Sequence, residues 1–195
     1  MVNNSAMINL LNLGKSMKFK GQKVYIRAPK RTEIEFIRSL WQDKKTMSEV
    51  GGIVKRTKRE MLKWFLKMVN PQNKHNFYCL IFNHNNNPIG EVSFHRFNII
   101  NSSADLNIKV KYNYRGNGYA KESLLLLLNY FFNHFGGKII KDKVAQYNIS
   151  GQKFLKRFGF DKIESNKDYV LFSLTYKQFS KICKKNNYFK DIYHE

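Results

Sequence analysis

The sequence contains little cysteine and no long aliphatic run. Only Cys79 and Cys183 occur, and they show no metal-ligand spacing, which argues against a structural disulfide or a zinc site. The longest aliphatic run, 124–128, ends at Asn129 and is far shorter than the roughly 20 residues that cross a bilayer. Residues 1–17 lack the early basic cluster of a signal peptide. We therefore expect a cytoplasmic protein with no bound metal and no membrane contact.

Acidic residues are also scarce. The chain has 14 Asp and Glu residues against 35 Lys and Arg residues, which gives a net charge of +21. Such a charge suits a polyanion, so a basic ribosome- or RNA-associated binding protein without catalysis is one hypothesis. The basic residues are spread along the whole sequence, however, and this argues against nucleic acid as the main partner. A cofactor with several phosphates would suit the same surface.

The length and the apolar content predict one domain. The chain has 195 residues, of which 43% are hydrophobic, and we place an N-terminal tail at 1–17 and a single domain at 18–195. Alternating or densely apolar segments predict strands at 23–27, 77–82, 89–97, 105–111 and 138–145, and a strand pair within 161–175.

Capping signals and apolar spacing predict the helices. Thr32 with Glu35 and Thr57 with Glu60 have the spacing of capping boxes, and Pro71 is expected to end the second of these helices. Further helices are predicted at 121–135, at 150–157 and within 176–195. The resulting order is strand, two helices, three antiparallel strands, helix, strand, helix and strand.

A glycine-rich segment at 115–120 joins the predicted strand 105–111 to the predicted helix 121–135. Glycine has no Cβ, so the backbone can turn sharply there and a phosphate group can approach closely. The free N–H groups and the dipole of a helix N-terminus add positive character at the same point. The segment therefore predicts a phosphate-binding site.

The sequence RGNGYA at 115–120, in this setting, resembles the pyrophosphate-binding motif of the GCN5-related N-acetyltransferases (GNATs). The order of elements matches that family from about residue 18 to 175. Asn148 and the helix ending at 156–160 resemble its second coenzyme-binding segment. Residues 24–27 and 33–43 resemble the branch that acetylates N-terminal amines of ribosomal proteins. The resemblance implies an α+β GNAT fold, with a central mixed, mostly antiparallel sheet flanked by helices.

The resemblance also implies an acyltransferase that uses acetyl-CoA as co-substrate and transfers its acetyl group to a primary amine by direct attack on the thioester. The acceptor stays open between a protein N-terminus and a small molecule such as an antibiotic or a polyamine, and a homodimer is compatible with the family. In the family, backbone groups of the strand before the loop pair with pantetheine. The implied cofactor-binding residues are Ile108, Val110, Arg115, Gly116, Asn117, Gly118, Tyr119, Ala120 and Asn148.

Three side chains are candidates for the general base. Glu91 and His95 share one face of a predicted strand, and Asp105 begins the next strand, near where some family members place a catalytic carboxylate. A carboxylate or a neutral imidazole can take the amine proton directly or through water. Many family members protonate the thiolate with a Tyr, but the matching position here is Leu155. That departure leaves the thiolate to depart unprotonated or to take a proton from water.

Overall fold

The computed structural model describes residues 17–69, 74–186 and 188, and an eight-stranded sheet forms its centre. The strands are β1 (Lys18–Lys20), β2 (Val24–Arg27), β3 (Phe77–Asn83), β4 (Pro88–Asn98), β5 (Ser103–Val110), β6 (Ile139–Ala145), β7 (Asp161–Ser165) and β8 (Tyr169–Thr175). Their spatial order is β1-β2-β3-β4-β5-β6-β8-β7. Every neighbouring pair is antiparallel except β5 and β6, which are parallel. This mixed, mostly antiparallel sheet confirms the predicted α+β class.

Helices lie against the sheet. They are α1 (Ile34–Gln42), α2 (Lys44–Met47), α3 (Lys58–Met68), α4 (Tyr119–Tyr130), α5 (Ile149–Phe158) and α6 (Tyr176–Lys185). A π-helical turn, Phe131–Phe135, extends α4 to its end at Gly136. The sequence predicted these elements to within a few residues, except β1 and α2, which it missed. Within the described ranges, none of the helices is long and apolar enough to cross a bilayer.

One predicted capping box is confirmed and the other is wrong. Thr57 Oγ1 accepts from the Glu60 N–H at 3.3 Å, and the Glu60 carboxylate accepts from the Thr57 N–H at 2.7 Å. The box of Thr32 with Glu35 does not form, because a 3₁₀ turn, Arg31–Glu33, precedes α1. At the start of this 3₁₀ turn, the carboxylate that accepts a hydrogen bond from the N-cap backbone is that of Glu33. Pro71, the tail residues 1–16, and residues 187 and 189–195 lie outside the described residues.

Apolar side chains cover both faces of the sheet, and β3 shows how they alternate. Cys79 and Ile81 face the core under α4, whereas Tyr78, Leu80 and Phe82 face the core under α1 and α3. This two-residue alternation is the normal pleat of a strand. Helix α4 is buried at every position from 123 to 129, which explains its continuous apolar sequence.

The sheet opens between β5 and β6. These strands pair only over Ser103–Asp105 and Ile139–Lys141. Beyond that point β5 continues beside β4 to Val110, and β6 continues beside β8 to Ala145. Because the two strands run in the same direction, they diverge from a common apex into a V-shaped gap. The gap faces the glycine-rich segment that follows β5.

Candidate active site

A cavity of about 310 Å³ occupies the opening between β5 and β6. Both strands, the glycine-rich segment and α5 contribute to its wall. Six of the sequence-predicted residues line it: Ile108, Val110, Arg115, Gly116, Ala120 and Asn148. Glu49, Lys109, Asp142 and Leu155 also line it and were not predicted as site residues. The cavity therefore joins the predicted phosphate loop to the gap in the sheet.

The glycine-rich loop has the backbone that an anion site needs. Gly116 and Gly118 have φ values of +83° and +82°, in the left-handed region that favours glycine. Gly118 is the N-cap residue of α4 and brings no side chain to cap the helix. The first N–H groups of an α-helix have no partner within the helix, and the helix dipole makes them attractive to an anion. The loop thus offers uncapped N–H groups at the mouth of the cavity.

The Arg115 guanidinium is bound to three acceptors that lie outside the loop. It lies 2.7 Å from Glu49 Oε2, donates to the Thr46 carbonyl at 2.9 Å and donates to the Val110 carbonyl at 3.2 Å. Five donors in a fixed plane suit such a bridging role. Arg115 therefore ties the end of β5 and the loop to α2 and the turn after it.

Glu122 holds the other side of the loop, and no pattern in the sequence indicated this contact. Its carboxylate accepts hydrogen bonds from the backbone N–H groups of Gln22, Lys23 and Val24 at 2.8, 2.7 and 2.8 Å. Lys23 Nζ in turn donates to the Asn117 carbonyl at 3.2 Å. The first turn of α4 is consequently fixed to the turn between β1 and β2, about a hundred residues earlier in the chain.

Asn148 begins α5 on the opposite wall. Its side-chain oxygen accepts from the Gly151 N–H at 2.8 Å and from Ser150 Oγ at 3.1 Å, so it is the N-cap of the helix. Ser150 Oγ also lies 2.9 Å from Glu49 Oε2, so its single proton can go to either oxygen. The buried Asn148 side chain thus shapes the wall that faces the phosphate loop.

Glu91 is the most enclosed of the predicted base candidates. Its carboxylate accepts from Tyr78 Oη and from Trp41 Nε1 at 2.7 Å on one oxygen. The other oxygen accepts from Asn107 Nδ2 at 3.0 Å and Lys109 Nζ at 2.7 Å. Burial alone would raise the pKa of Glu91, but the charge of Lys109 and these hydrogen bonds hold that pKa below its ordinary value. A carboxylate stabilised in this way is a weak proton acceptor.

His95 and Asp105 face each other across β4 and β5. Asp105 is also the last β5 residue paired with β6, so both side chains belong to the apex of the gap. Asp105 Oδ2 lies 2.5 Å from Arg96 Nε. His95 Nδ1 is buried and has no hydrogen-bond partner among the described residues. Burial, assisted by the charge of Arg96, lowers the pKa of His95.

Asp142 lies on the β6 side of the gap. Ile140 and Val144 face the α4 core, so strand alternation puts Asp142 on that face as well. Burial raises the pKa of Asp142 to about 7, with Lys109 opposing the rise and Asp105 adding to it. The sequence around it reads Lys141-Asp142-Lys143, which is typical of a solvated strand, and this explains why sequence reasoning missed it.

The family model that describes the acetyltransferase (GNAT) domain matches residues 23–161. The chain belongs to the GNAT acetyltransferase family. It is therefore an acyltransferase, and acetyl-CoA is the acetyl donor that this family uses. This finding confirms the resemblance drawn from the 115–120 segment and from the order of elements. No curated protein sequence matches the chain.

Solved structures of other GNAT acetyltransferases share this fold. A spermidine N-acetyltransferase from Vibrio cholerae, solved with CoA and spermine, is 19% identical with a TM-score of 0.72, over 82% of this chain and 99% of that one. The nucleotide-linked sugar GNAT FdhC is 18% identical with a TM-score of 0.75, over 89% and 98%. A GCN5-related N-acetyltransferase from Brucella melitensis is 14% identical with a TM-score of 0.72, over 89% and 85%. At these identities the likeness establishes the GNAT fold and leaves the acceptor open.

The structure separates the predicted GNAT residues into two groups. Those assigned to the coenzyme lie around the cavity and its loop, together with Asn117, Gly118 and Tyr119 of the same turn. Glu91, His95 and Asp105 are absent from the cavity wall within the described part of the chain, and they occupy the opposite face of the sheet. The cavity wall includes both Ile108 and Lys109. The Lys109 side chain belongs to the face of that second group, because its Nζ donates to Glu91 at 2.7 Å.

Proposed function

We propose that this protein transfers the acetyl group of acetyl-CoA to a primary amine of a protein N-terminus or a small molecule, by direct attack on the thioester. The observation that carries the proposal is the opening between β5 and β6, which begins at Asp105 and leads to the uncapped N-terminus of α4. A phosphate-bearing thioester fits this arrangement, because the loop offers N–H groups to phosphate and the gap offers unpaired strand edges to amides.

This geometry supports the following coenzyme assignments. The backbone N–H groups of 116–120 would hold the pyrophosphate. Backbone groups of Ile108 and Val110 would pair with pantetheine amides, since β5 has no ladder partner on the β6 side beyond Asp105 in the described ranges. Asn148 would shape the facing wall. Arg115 would act through the loop it braces, because its guanidinium is already bound to Glu49 and two carbonyls.

Among the base candidates, the geometry favours His95. The amine must lose a proton to attack, and the base needs a free lone pair near neutral pH. The carboxylate of Glu91 is occupied by four donors, and Asp105 is paired with Arg96. His95 is neutral by virtue of its lowered pKa and has an unpartnered Nδ1 within the described residues. His95 would therefore accept the amine proton directly or through one water.

The net charge bears on the acceptor. A protein with a net charge of +21 repels a polycation such as spermidine while the two approach by diffusion. A protein N-terminus in an acidic context, or an uncharged or anionic small molecule, meets no such barrier. A reducing, cytoplasmic setting agrees with Cys79 and Cys183, which are both free thiols.

The test is thiol release from acetyl-CoA against a panel of peptides with free N-termini, amino sugars, antibiotics and polyamines, with mass spectrometry to locate the acetyl group. We expect coenzyme binding and turnover with at least one amine other than a polyamine. The alternative, a ribosome- or RNA-associated protein without catalysis, predicts RNA binding at physiological salt and no heat of acetyl-CoA binding in calorimetry. That pair of results would overturn the proposal.

A further inference from the structure

One carboxyl in the cavity wall is not accounted for by the coenzyme and base assignments. Four wall residues carry a titratable side chain: Glu49, Lys109, Arg115 and Asp142. Glu49 pairs with Arg115, and Lys109 pairs with Glu91. Asp142 alone of the four has no ion pair in the described part of the chain. It follows Lys141, the last β6 residue paired with β5, so it lies at the apex of the gap.

The surroundings of Asp142 favour its protonated form. Asp142 is half-buried, and the loss of water around its carboxyl is the largest effect, which raises its pKa to about 7. Asp105 acts in the same direction, whereas Lys109 and the backbone N–H of Lys143 oppose it. The α5 residues in the wall, Asn148, Ser150, Gly151, Phe154 and Leu155, carry no charge. Near neutral pH a proton is therefore available at this carboxyl.

The two faces of the sheet separate two proton-transfer tasks. Asp142 shares the side of the phosphate loop and α5, from which the thioester would enter. His95 and Asp105 lie on the other side, toward α1 and α3. On this arrangement a leaving thiolate would stay on the side of its own coenzyme, and an attacking amine would be deprotonated on the other side.

We propose that Asp142 is the general acid that protonates the departing thiolate, a role that rests on the proposed acetyltransferase function. As the amine nitrogen forms its bond to the acetyl carbon, the bond from that carbon to sulfur breaks and its electron pair stays on sulfur. The Asp142 carboxyl gives its proton to that sulfur. The amine proton goes to the base on the opposite face, which releases it to solvent, and Asp142 regains a proton from solvent before the next turnover.

Leu155 supports this assignment because it lines the same cavity and cannot donate a proton. A carboxyl with a pKa of about 7 is a stronger acid than an ordinary thiol, whose pKa is about 8.5. Transfer of the proton from Asp142 to the thiolate therefore carries no large cost in free energy, even when coenzyme binding raises the pKa of Asp142 toward that of the thiol. Lys109 is a poorer donor, because its ammonium is bound to Glu91 at 2.7 Å and to Asn107 at 2.5 Å.

The first test is Asp142→Asn, which keeps the size of the side chain and removes the acid. We expect kcat to fall by about 100-fold at pH 6, the scale of a lost general acid. In the wild type kcat should decline as pH rises above about 7, since kcat reports the coenzyme complex, in which the pKa of Asp142 is raised further, and this decline should vanish in the variant. Asp168→Asn, a carboxyl at the exposed turn before β8, is the matched control and should keep both rate and profile.

The opposite pH dependence of kcat would identify a different role for Asp142. If wild-type kcat instead rises through pH 7 and Asp142→Asn removes that rise, Asp142 is a base and the acid assignment is wrong. A variant within twofold of wild type that retains the decline would overturn the role altogether. Circular dichroism of both variants checks that the fold is unchanged.

The second test measures protons without turnover. Binding of acetyl-CoA in the absence of acceptor excludes water from the gap and raises the pKa of Asp142 further, so at pH 7 the wild type should take up about half a proton more than Asp142→Asn. Calorimetry in two buffers of different ionisation enthalpy gives this difference, and the affinity of the variant should stay within about threefold. Equal proton uptake in the two proteins would overturn the general-acid role of Asp142 and leave the proposed acetyltransferase function standing. No binding by the wild type overturns the proposed function and this role together.

Discussion

Gly118 is a residue at which local backbone geometry decides a proposed binding site. Its φ of +82° is one that β-branched residues rarely adopt, and an added Cβ would lie 3.3 Å from Lys23 Nζ. We expect Gly118→Val to weaken acetyl-CoA binding at least about tenfold, because the loop N–H groups would shift away from the pyrophosphate. Isothermal calorimetry on the folded variant measures the change.

Gly136→Val is the matched control for this prediction. Gly136 has a φ of +92° at the other end of the same helical segment, and an added Cβ would meet nothing within 4 Å. Its backbone strain should therefore be similar, about 1–2 kcal/mol, while coenzyme affinity stays at the wild-type level. Equal losses of affinity in both variants would mean that strain, and not the loop, lowers binding.

If His95 is the base, its pKa sets the decline of kcat/KM at low pH. Burial and the charge of Arg96 hold its pKa below the ordinary value of 6.5, so the imidazole becomes protonated, and is lost as a base, only at lower pH. We expect kcat/KM to decline only at pH values below about 6.5. Arg96→Gln removes a like charge and should move the limb to higher pH, whereas Arg59→Gln, on exposed α3, should not. An unmoved limb would exclude His95 as its source.

For single residues, the features that could be predicted from the sequence are those that depend on neighbours along the chain. The 115–120 loop could be recognised because its glycines and the following helix are contiguous. The bonds of Arg115 to Glu49 and Thr46, and the burial that raises the pKa of Asp142, depend on residues far away in sequence. The error at Thr32 and Glu35 has a local cause, because the Glu33 carboxylate accepts from the Lys30 N–H at 2.7 Å and from Arg27 at 2.6 Å, so the helical segment begins earlier.

Among the elements, the contact of α4 with the β1–β2 turn is carried by one side chain. Glu122→Ala removes three hydrogen bonds to backbone N–H groups. We expect the free energy of unfolding to drop by about 2 kcal/mol, and coenzyme affinity to fall several-fold because the loop loses its brace. Chemical denaturation and calorimetry measure the two effects.

The control for the brace is Glu164→Ala, which removes an exposed carboxylate that accepts from Tyr169 Oη at 2.7 Å on β7 and β8, away from the loop. It should leave coenzyme affinity unchanged. If Glu122→Ala lowers stability yet binds coenzyme like the wild type at a temperature where both are folded, Glu122 supports the fold and not the loop. The predicted order of strands and helices needed no knowledge of this contact, because apolar periodicity and local capping signals indicate those elements.

Over the whole molecule, the charge of +21 should act as a general background. We expect weak binding of homopolymeric RNA at low salt that fades by about 0.15 M. The Debye length is then about 8 Å, and the release of counterions from RNA contributes less free energy to binding. Filter binding across a salt series measures this. Sub-micromolar, sequence-selective binding at physiological salt would instead favour the RNA-associated alternative.

The gap between β5 and β6 divides the sheet into five strands on one side and three on the other, joined by three register pairs. Hydrogen bonds across this seam are few, so partial opening should begin there, at a free energy below that of global unfolding. A ligand that fills the seam stabilises the closed form in proportion to the logarithm of its concentration. The supply of acetyl donor in the cell would then govern the rate of this reaction and also how long each copy of the protein survives proteolysis.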